Sequence, residues 1–370
     1  MIKTTNWLLT ATLLLVTACQ ASVATPTAVT PTPSATPAPT ASPEPTTIPS
    51  ATPPRINREI VDAFEVARRL GRGVNFGNML EAPTEGEWGI TMEESYFDLV
   101  KAGGFNTIRL PVRWSAHALA EAPYTIDPMF FARVDWAVDN ATQRGLNIVV
   151  NMHHYEALMK TPKDHQQRFV ALWRQIGARY ADRPHSVLLE LCNEPNGMSA
   201  DFWNGFFQDA LAAVRESNPT RIVVVGGADW NSVKGLLELK LPEADRNLLA
   251  TFHYYSPFEF THQGAEWVSG ADAWMGTQWD GVSRDKVNVD WDLDRAAAWA
   301  RDNNRPLWMG EFGAYSKADL AARERWTAYL AREAERRSIP WSYWEFGAGF
   351  GVYDRAAQTW VEPIKRALAP

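Results

Sequence analysis

Two apolar runs in this sequence open onto glutamates. Val187-Leu-Leu-Glu-Leu-Cys192 leads into Asn193-Glu194-Pro195, and Pro306-Leu-Trp-Met-Gly310 leads into Glu311-Phe-Gly313. Arg183-Pro184 and Pro195-Asn-Gly197 bound the first run, and its length and flanks favour a buried strand over a helix. Pro195 stops it, because proline has no N–H to give to a sheet ladder. Carboxylates at two strand ends can work as a pair in acid–base or nucleophilic chemistry. Glu190 is a third acid in the first run. Four residues earlier, at ~3.3 Å each, it lies ~13 Å deeper and reads as a structural partner inside the fold.

The elements that must bring the two glutamates together can be read from the hydrophobic pattern. From about Ile56 onward, strand-like runs at 73–76, 107–110, 147–152, 187–192, 221–225, 249–254, 307–310 and 339–343 alternate with helical stretches such as 127–144, 163–180, 199–216, 291–304 and 317–337. Asp127-Pro128 is a helix start and Arg144-Gly145 a stop. Eight strands alternating with helices fit a single α/β domain, a (β/α)8 TIM barrel, whose active sites lie at the carboxyl ends of its strands. A doubly wound sheet is the alternative. Against it, Gly71-Arg-Gly-Val-Asn-Phe-Gly77 lacks the phosphate-loop spacing and precedes no helix.

In the barrel, polar and aromatic residues gather on one rim. They are Asn75, Asn78 and Glu81 after strand one, Arg109 on strand two, His153-His154 after three and Asn193-Glu194 after four. His253 and Tyr255 follow on six, Glu311 on seven, and Trp344-Glu345 on eight. Seven of eight strands delivering such groups to one face is hard to explain as packing. Adjacent residues on a regular strand point to opposite faces, so His153 and His154 do not make a metal pair. The chain also has no His-Glu-x-x-His spacing. No metal and no cofactor is expected.

Composition narrows the class. The net charge is −7 and the 36 basic residues are scattered, which argues against nucleic acid as a partner. Seventeen tryptophans lean towards carbohydrate, since flat sugar rings stack on indole. Residues 1–19 form a separate segment. Lys3 precedes an apolar stretch over 7–18 that is too short for a membrane span and suits a signal peptide. It ends Leu15-Val-Thr-Ala-Cys19, which resembles a bacterial lipobox, with Cys19 as the lipidated residue. A plain secretory signal with an incidental cysteine is the other reading. Residues 20–55 are almost entirely Pro, Thr, Ala and Ser, a composition that cannot offset its chain entropy by burial and that extends to on the order of 100 Å at ~3.1 Å per residue. The expected organisation is a lipoprotein signal over 1–19, a linker stalk over 20–55 and a catalytic barrel over 56–370. The protein would then be secreted, anchored to the membrane only through its lipid, and monomeric. Cys192 is a small buried hydrophobe in this reading.

The ordered set Ile108-Arg-Leu-Pro111, His153-His154, Asn193-Glu194-Pro195, His253-Tyr-Tyr255, Gly310-Glu-Phe-Gly313 and Trp344 resembles glycoside hydrolase family 5. Asn75-Phe-Gly-Asn-Met-Leu-Glu-Ala-Pro83 and Phe260-Thr-His-Gln-Gly-Ala-Glu-Trp267 are similar to a bacterial subgroup of endo-β-1,4-glucanases, some of which also cut mannans. The resemblance implies retaining hydrolysis of β-1,4-linked polysaccharides (cellulose, β-glucan, mannan or xyloglucan) with Glu194 as acid/base and Glu311 as nucleophile. Arg109 and Tyr255 would stabilise the carboxylates, and Asn193 would hold the 2-hydroxyl. His153, His154 and His253 would line the subsite beside the cut bond. Trp344 would be the sugar platform, with Asn78, Glu81, Trp267 and Glu345 as further contacts. Two other readings stay open: a non-catalytic polysaccharide-binding lipoprotein on the same barrel, and a metal-dependent hydrolase.

Overall fold

The computed structural model describes residues 61–370. The signal-peptide, linker and Cys19 readings fall outside this range.

In chain order the elements are α1 (Ala63–Leu70), β1 (Arg72–Asn75), α2 (Glu94–Ala102), β2 (Thr107–Leu110), α3 (Pro128–Gln143), β3 (Asn147–Asn151), α4 (Glu156–Lys160), α5 (Pro162–Tyr180), β4 (Val187–Glu190), α6 (Ala200–Arg215), β5 (Val223–Gly226) and α7 (Val233–Leu237). They continue with β6 (Leu248–Tyr254), α8 (Phe258–Thr261), α9 (Ser283–Asp302), β7 (Leu307–Phe312), α10 (Leu320–Arg336), β8 (Trp341–Tyr343), a short hairpin β9 (Tyr353–Asp354) and β10 (Thr359–Trp360), and α11 (Glu362–Leu368). Strands β1 to β8 close in sequence order into one parallel barrel. No helix of the described residues is long and apolar enough to cross a membrane.

Local chemistry sets the boundaries. The Asp127 carboxylate accepts the Met129 N–H at 2.8 Å with Pro128 in the first turn of α3, and Gly145 at φ 66° turns the chain out, where an L side chain would be strained. Ser199 and Asp319 cap α6 and α10 in the same way. Strand β5 begins two residues later than its apolar run. The Arg221 guanidinium, buried there, donates to the carbonyls of Tyr180, Arg183, Pro184 and Val187, which ties this stretch to the β4 entry loop. Strand β4 ends at Glu190, but Leu191 N–H still donates to Val224 and Asn193 N–H to Met152, so the chain runs on extended to Glu194.

Helix α1, absent from the periodicity reading, closes the barrel floor. Its Ala63, Val66, Ala67 and Leu70 pack with Val149, Leu188, Ile222, Val224, Leu249 and Trp308. With α1 packed across the floor, the carboxyl-end rim carries the main cleft of the described residues.

Candidate active site

The register of β6 against β7 places the first pair of groups. It slips between Phe252 and His253, and beyond the slip His253 pairs with Glu311 and Tyr254 with Phe312. Such a slip re-aims side chains near functional sites. Paired residues on parallel strands share a face, so His253 and Glu311 both point into the barrel mouth. Tyr255, just past the strand, returns to the same side, and its hydroxyl donates to Glu311 Oε2 at 2.8 Å. From β4's extension comes Glu194, whose Oε1 lies 2.8 Å from His253 Nδ1, while Glu311 Oε2 is 3.6 Å from the same nitrogen. Oxygens of the two glutamates and this ring nitrogen all lie within 4.8 Å of one another.

Below them lies Arg109, fully buried. Its Nε and Nη2 chelate Glu190 at 2.7 Å each, Nη2 also donates to Asn193 Oδ1 at 2.7 Å, and Nη1 donates to Asn75 Oδ1 at 2.9 Å and Glu311 Oε1 at 2.5 Å. All five guanidinium donors are thereby used. Arg109 is the buried floor of the site and does not line the cleft, so it acts on Glu311 and Asn193 rather than on a ligand directly. Glu190 is the buried partner that its depth implied. Because Asn193 must present its oxygen to Arg109, its NH2 group is left to face a ligand.

Burial pushes the Glu194 carboxyl up to about 7; Arg109 pulls it back and Glu190 adds to the rise. Glu311 is also raised by burial, opposed by His253, Arg109 and the Tyr255 hydroxyl. With a guanidinium on one oxygen and a phenol on the other, Glu311 is the carboxyl held as an anion. Burial lowers His253 to about 4, against the pull of Glu311, so the ring between the two acids is neutral. Tyr255 is pushed well above its ordinary value, by burial first and then by Glu311 and Glu194, and remains a donor.

His153 and His154 both face the cleft. The opposite-faces argument fails for them because β3 ends at Asn151. Asn151 accepts the Val112 N–H on Oδ1, so its Nδ2 donates to His153 Nδ1 at 3.2 Å. His153 therefore carries its proton on Nε2. Its ring stacks on Trp344 at 5.4 Å and 9°.

Asn78, Glu81, Trp267, Trp344 and Glu345 also line the cleft, but two of them are committed to their own loops. The buried Glu81 carboxyl accepts the backbone N–H groups of Asn78 and Met79. Glu345 accepts those of Gly347, Ala348 and Phe350. These loops, which carry Asn78 and Phe350 to the rim, are shaped around buried carboxyls. Glu81 and Glu345 thus meet the cleft with oxygens already engaged by their own loops.

The cleft, of about 1270 Å3, extends along the rim past Trp88, Trp230, Lys234, Phe258, Asp292, Arg295, Tyr315 and Phe350. It exceeds the ~300–1,000 Å3 usual for a small-molecule site and suits an oligomeric chain. Sequence reasoning missed the contribution of β5. Asp229, Trp230 and Asn231 are three consecutive left-handed residues, at φ 61°, 59° and 54°. Asn231, buried beneath, accepts the Gly227 N–H and donates to the Asn193 carbonyl. A Cβ on Gly226 would lie 2.1 Å from Asn231 Oδ1, so only glycine fits there. The turn lifts Trp230 into the cleft wall with 60% of its surface exposed. Gly226-Gly-Ala-Asp-Trp-Asn231, glycines followed by Asp and Asn that tolerate this conformation, was the available signal.

Among the described residues, the group whose spacing could hold a metal is Glu194, His253 and Glu311. The donor set does not suit a dication: Glu311 already accepts from Arg109 and Tyr255, and the guanidinium sits 2.5 Å from the carboxylate.

An open-mouthed (β/α)8 barrel with two carboxyls meeting over a buried arginine defines a class of hydrolase-like sites, and the comparisons give the family. Residues 71–349 match the family model for cellulase (glycosyl hydrolase family 5). The chain belongs to glycosyl hydrolase family 5. It is 37% identical over 327 residues to Endoglucanase H of Acetivibrio thermocellus, a match covering 86% of this chain and 35% of that protein. The chain thus spans about a third of the length of that relative. Endoglucanase B of Clostridium cellulovorans is 28% identical over 81% of this chain and 73% of its own length. Among solved structures, Thermotoga maritima Cel5A in complex with mannotriose is 44% identical with a TM-score of 0.82, covering 83% of this chain and all of that one. The same enzyme with cellobiose is 45% identical with the same TM-score.

Proposed function

We propose that this protein is an endo-acting β-1,4-glucanase that cleaves with net retention, with Glu194 as acid/base and Glu311 as nucleophile. The observation that carries this reading is the separation of the two carboxyls, within 4.8 Å at their nearest oxygens. Retaining pairs stand ~5–5.5 Å apart, whereas inverting pairs need ~6.5–9.5 Å to admit a water.

The roles follow from the environments. Glu194, held up to about 7, keeps a proton to give to the departing glycosidic oxygen. Glu311, held as an anion, attacks the anomeric carbon and forms a glycosyl ester. Neutralising Glu311 as an ester removes a negative charge beside Glu194, so the pKa of Glu194 falls. It then serves as the base that takes a proton from the incoming water. Water adds to the anomeric carbon, the ester bond breaks, and both carboxyls return to their starting states. Neutral His253, touching both, moves with neither charge. The free amide N–H of Asn193 meets a hydroxyl of the sugar at the point of cleavage, and Trp344, backed by His153, supports the ring. The substrate is a β-1,4-linked glucan. Mannan is a second substrate by analogy with the mannotriose complex of the 44% identical neighbour. A non-catalytic binding role gains no support from a site in which both carboxyls stand in working geometry.

Glu194→Gln and Glu311→Gln are each expected to lose about three decades of kcat on β-glucan. Either variant keeping more than about a tenth of the wild-type rate would remove the assignment. A panel of cellulose, mixed-linkage glucan, xyloglucan and mannan, with product sizes measured, tests substrate and endo action. The sequence alone supports secretion and anchoring through Cys19. Cys19→Ser is expected to move activity out of the membrane fraction, and unchanged fractionation would leave a plain secreted enzyme.

A further inference from the structure

The two glutamates come from β4 and β7, so they divide the rim into an arc carrying β8, β1, β2 and β3 and a shorter arc carrying β5 and β6. On the shorter arc the cleft wall runs through Trp230 and Lys234 and ends on Asp292 and Arg295 of α9. Asp292 is held from below. The buried Tyr254 donates to Asp292 Oδ2 at 3.3 Å, and Asp292 lies 4.0 Å from Arg295. The Arg295 guanidinium lies 4.1 Å over the indole of Trp291, one helical turn earlier. Trp291 keeps 59% of its surface exposed.

Single exposed apolar residues are ordinary, but this one is stacked against a residue of the cleft wall. A guanidinium stacked on one indole face fixes the ring and leaves the other face to solvent. Its neighbour in that stack is itself part of the cleft wall. A fixed, half-covered indole with a cation at its edge offers an apolar face for the C–H side of a pyranose and a donor for its hydroxyls.

We propose that Trp291 and Arg295 form a distal subsite that binds one further sugar unit of a β-1,4-linked polysaccharide leaving the β5–β6 end of the cleft. This rests on the function proposed above and extends it to the polymer beyond the cleft proper.

The test is steady-state kinetics of wild type, Trp291→Ala and Trp291→Phe on carboxymethyl cellulose and on a chromogenic cellobioside, with melting temperatures recorded alongside. For Trp291→Ala the ratio of polymer KM to cellobioside KM is expected to rise about 3- to 10-fold, the scale of one lost aromatic stack, with kcat on either substrate held. Trp291→Phe should recover part of the loss. Affinity electrophoresis in β-glucan, with Trp291→Ala placed in the Glu311→Gln background, should show weaker retardation than Glu311→Gln alone. An unchanged KM ratio together with unchanged retardation overturns the subsite. A wild type that hydrolyses neither substrate and is not retarded by the gel overturns the proposed function, and the subsite with it.

Discussion

Arg109 Nη1 lies 2.5 Å from Oε1 of Glu311 while the other edge of the same guanidinium chelates Glu190. Glu311 is therefore tied to a charge that cannot move, since Glu190, Asn75 and Asn193 use the remaining donors. In the proposed mechanism, a positive charge already in place needs no reorganisation as the glycosyl ester forms and breaks.

Arg109→Lys keeps the charge but removes the planar fork, and it leaves Glu190 buried with at most one partner. A loss of about two decades or more in kcat on β-glucan is expected. The fold is expected to weaken by about 3–5 kcal/mol, the scale of a broken buried pair, measured by denaturant unfolding. Wild-type kcat in a folded Arg109→Lys would mean that the bidentate geometry is dispensable.

Much of this was legible in advance. The strand spans fall within two residues of the apolar runs in most cases, because a doubly covered parallel strand is apolar on both faces and so announces itself. Glu194 and Glu311 were legible because each follows such a run. Depth was not. Arg109 and His153 both stand near strand ends, yet one is sealed under the floor and the other lines the cleft. That difference depends on the Glu190 and Asn151 partners contributed by β4 and β3. The β5 arm was missed because three left-handed residues have no hydrophobic period. That Glu345 also shapes its own loop through the loop's amides was hidden, because this is a matter of backbone path, which residue type does not reveal.

The pH dependence of kcat/KM follows from the two carboxyls. Glu194, raised by burial to about 7, must be protonated, so activity falls as pH rises through about 7. Glu311 must be ionised, so a second loss appears at low pH. Tyr255→Phe deletes a donor to the ionised form of Glu311, which raises the pKa of Glu311. The low-pH limb of the variant should move to higher pH with the upper limb nearly in place. A low-pH limb that stays put or moves down would break the link between Glu311 and that limb.

Glu81 carries a different pH signature. Burial raises it to about 8, against the pull of its backbone donors and with a contribution from Glu345. The folded state then holds a proton that the unfolded state releases near 4.5, the ordinary value. Stability from this group is complete below about 4.5 and is lost as pH climbs from there through about 8. Melting temperature should decline over that window in wild type, and Glu81→Gln, which cannot ionise, should flatten the decline. An equal slope in both proteins would place the carboxyl in the ionised state throughout.

Stereochemistry gives the sharpest test of the carboxyl pair. With an oxygen of each within 4.8 Å of the other, Glu194 and Glu311 fit the close-set pair, which leaves no layer for a water between a carboxylate and the anomeric carbon. Glu311 must then attack that carbon itself, inverting it once. Water enters only after the leaving sugar has departed, on the face guarded by Glu194, and inverts it again. Proton NMR during the first minutes of hydrolysis of a β-linked cello-oligosaccharide should show the β-anomer of the new reducing end first, with the α-anomer growing in by mutarotation. An initial α-product would require a wider pair with water held between, and Glu311 would then be a base rather than a nucleophile.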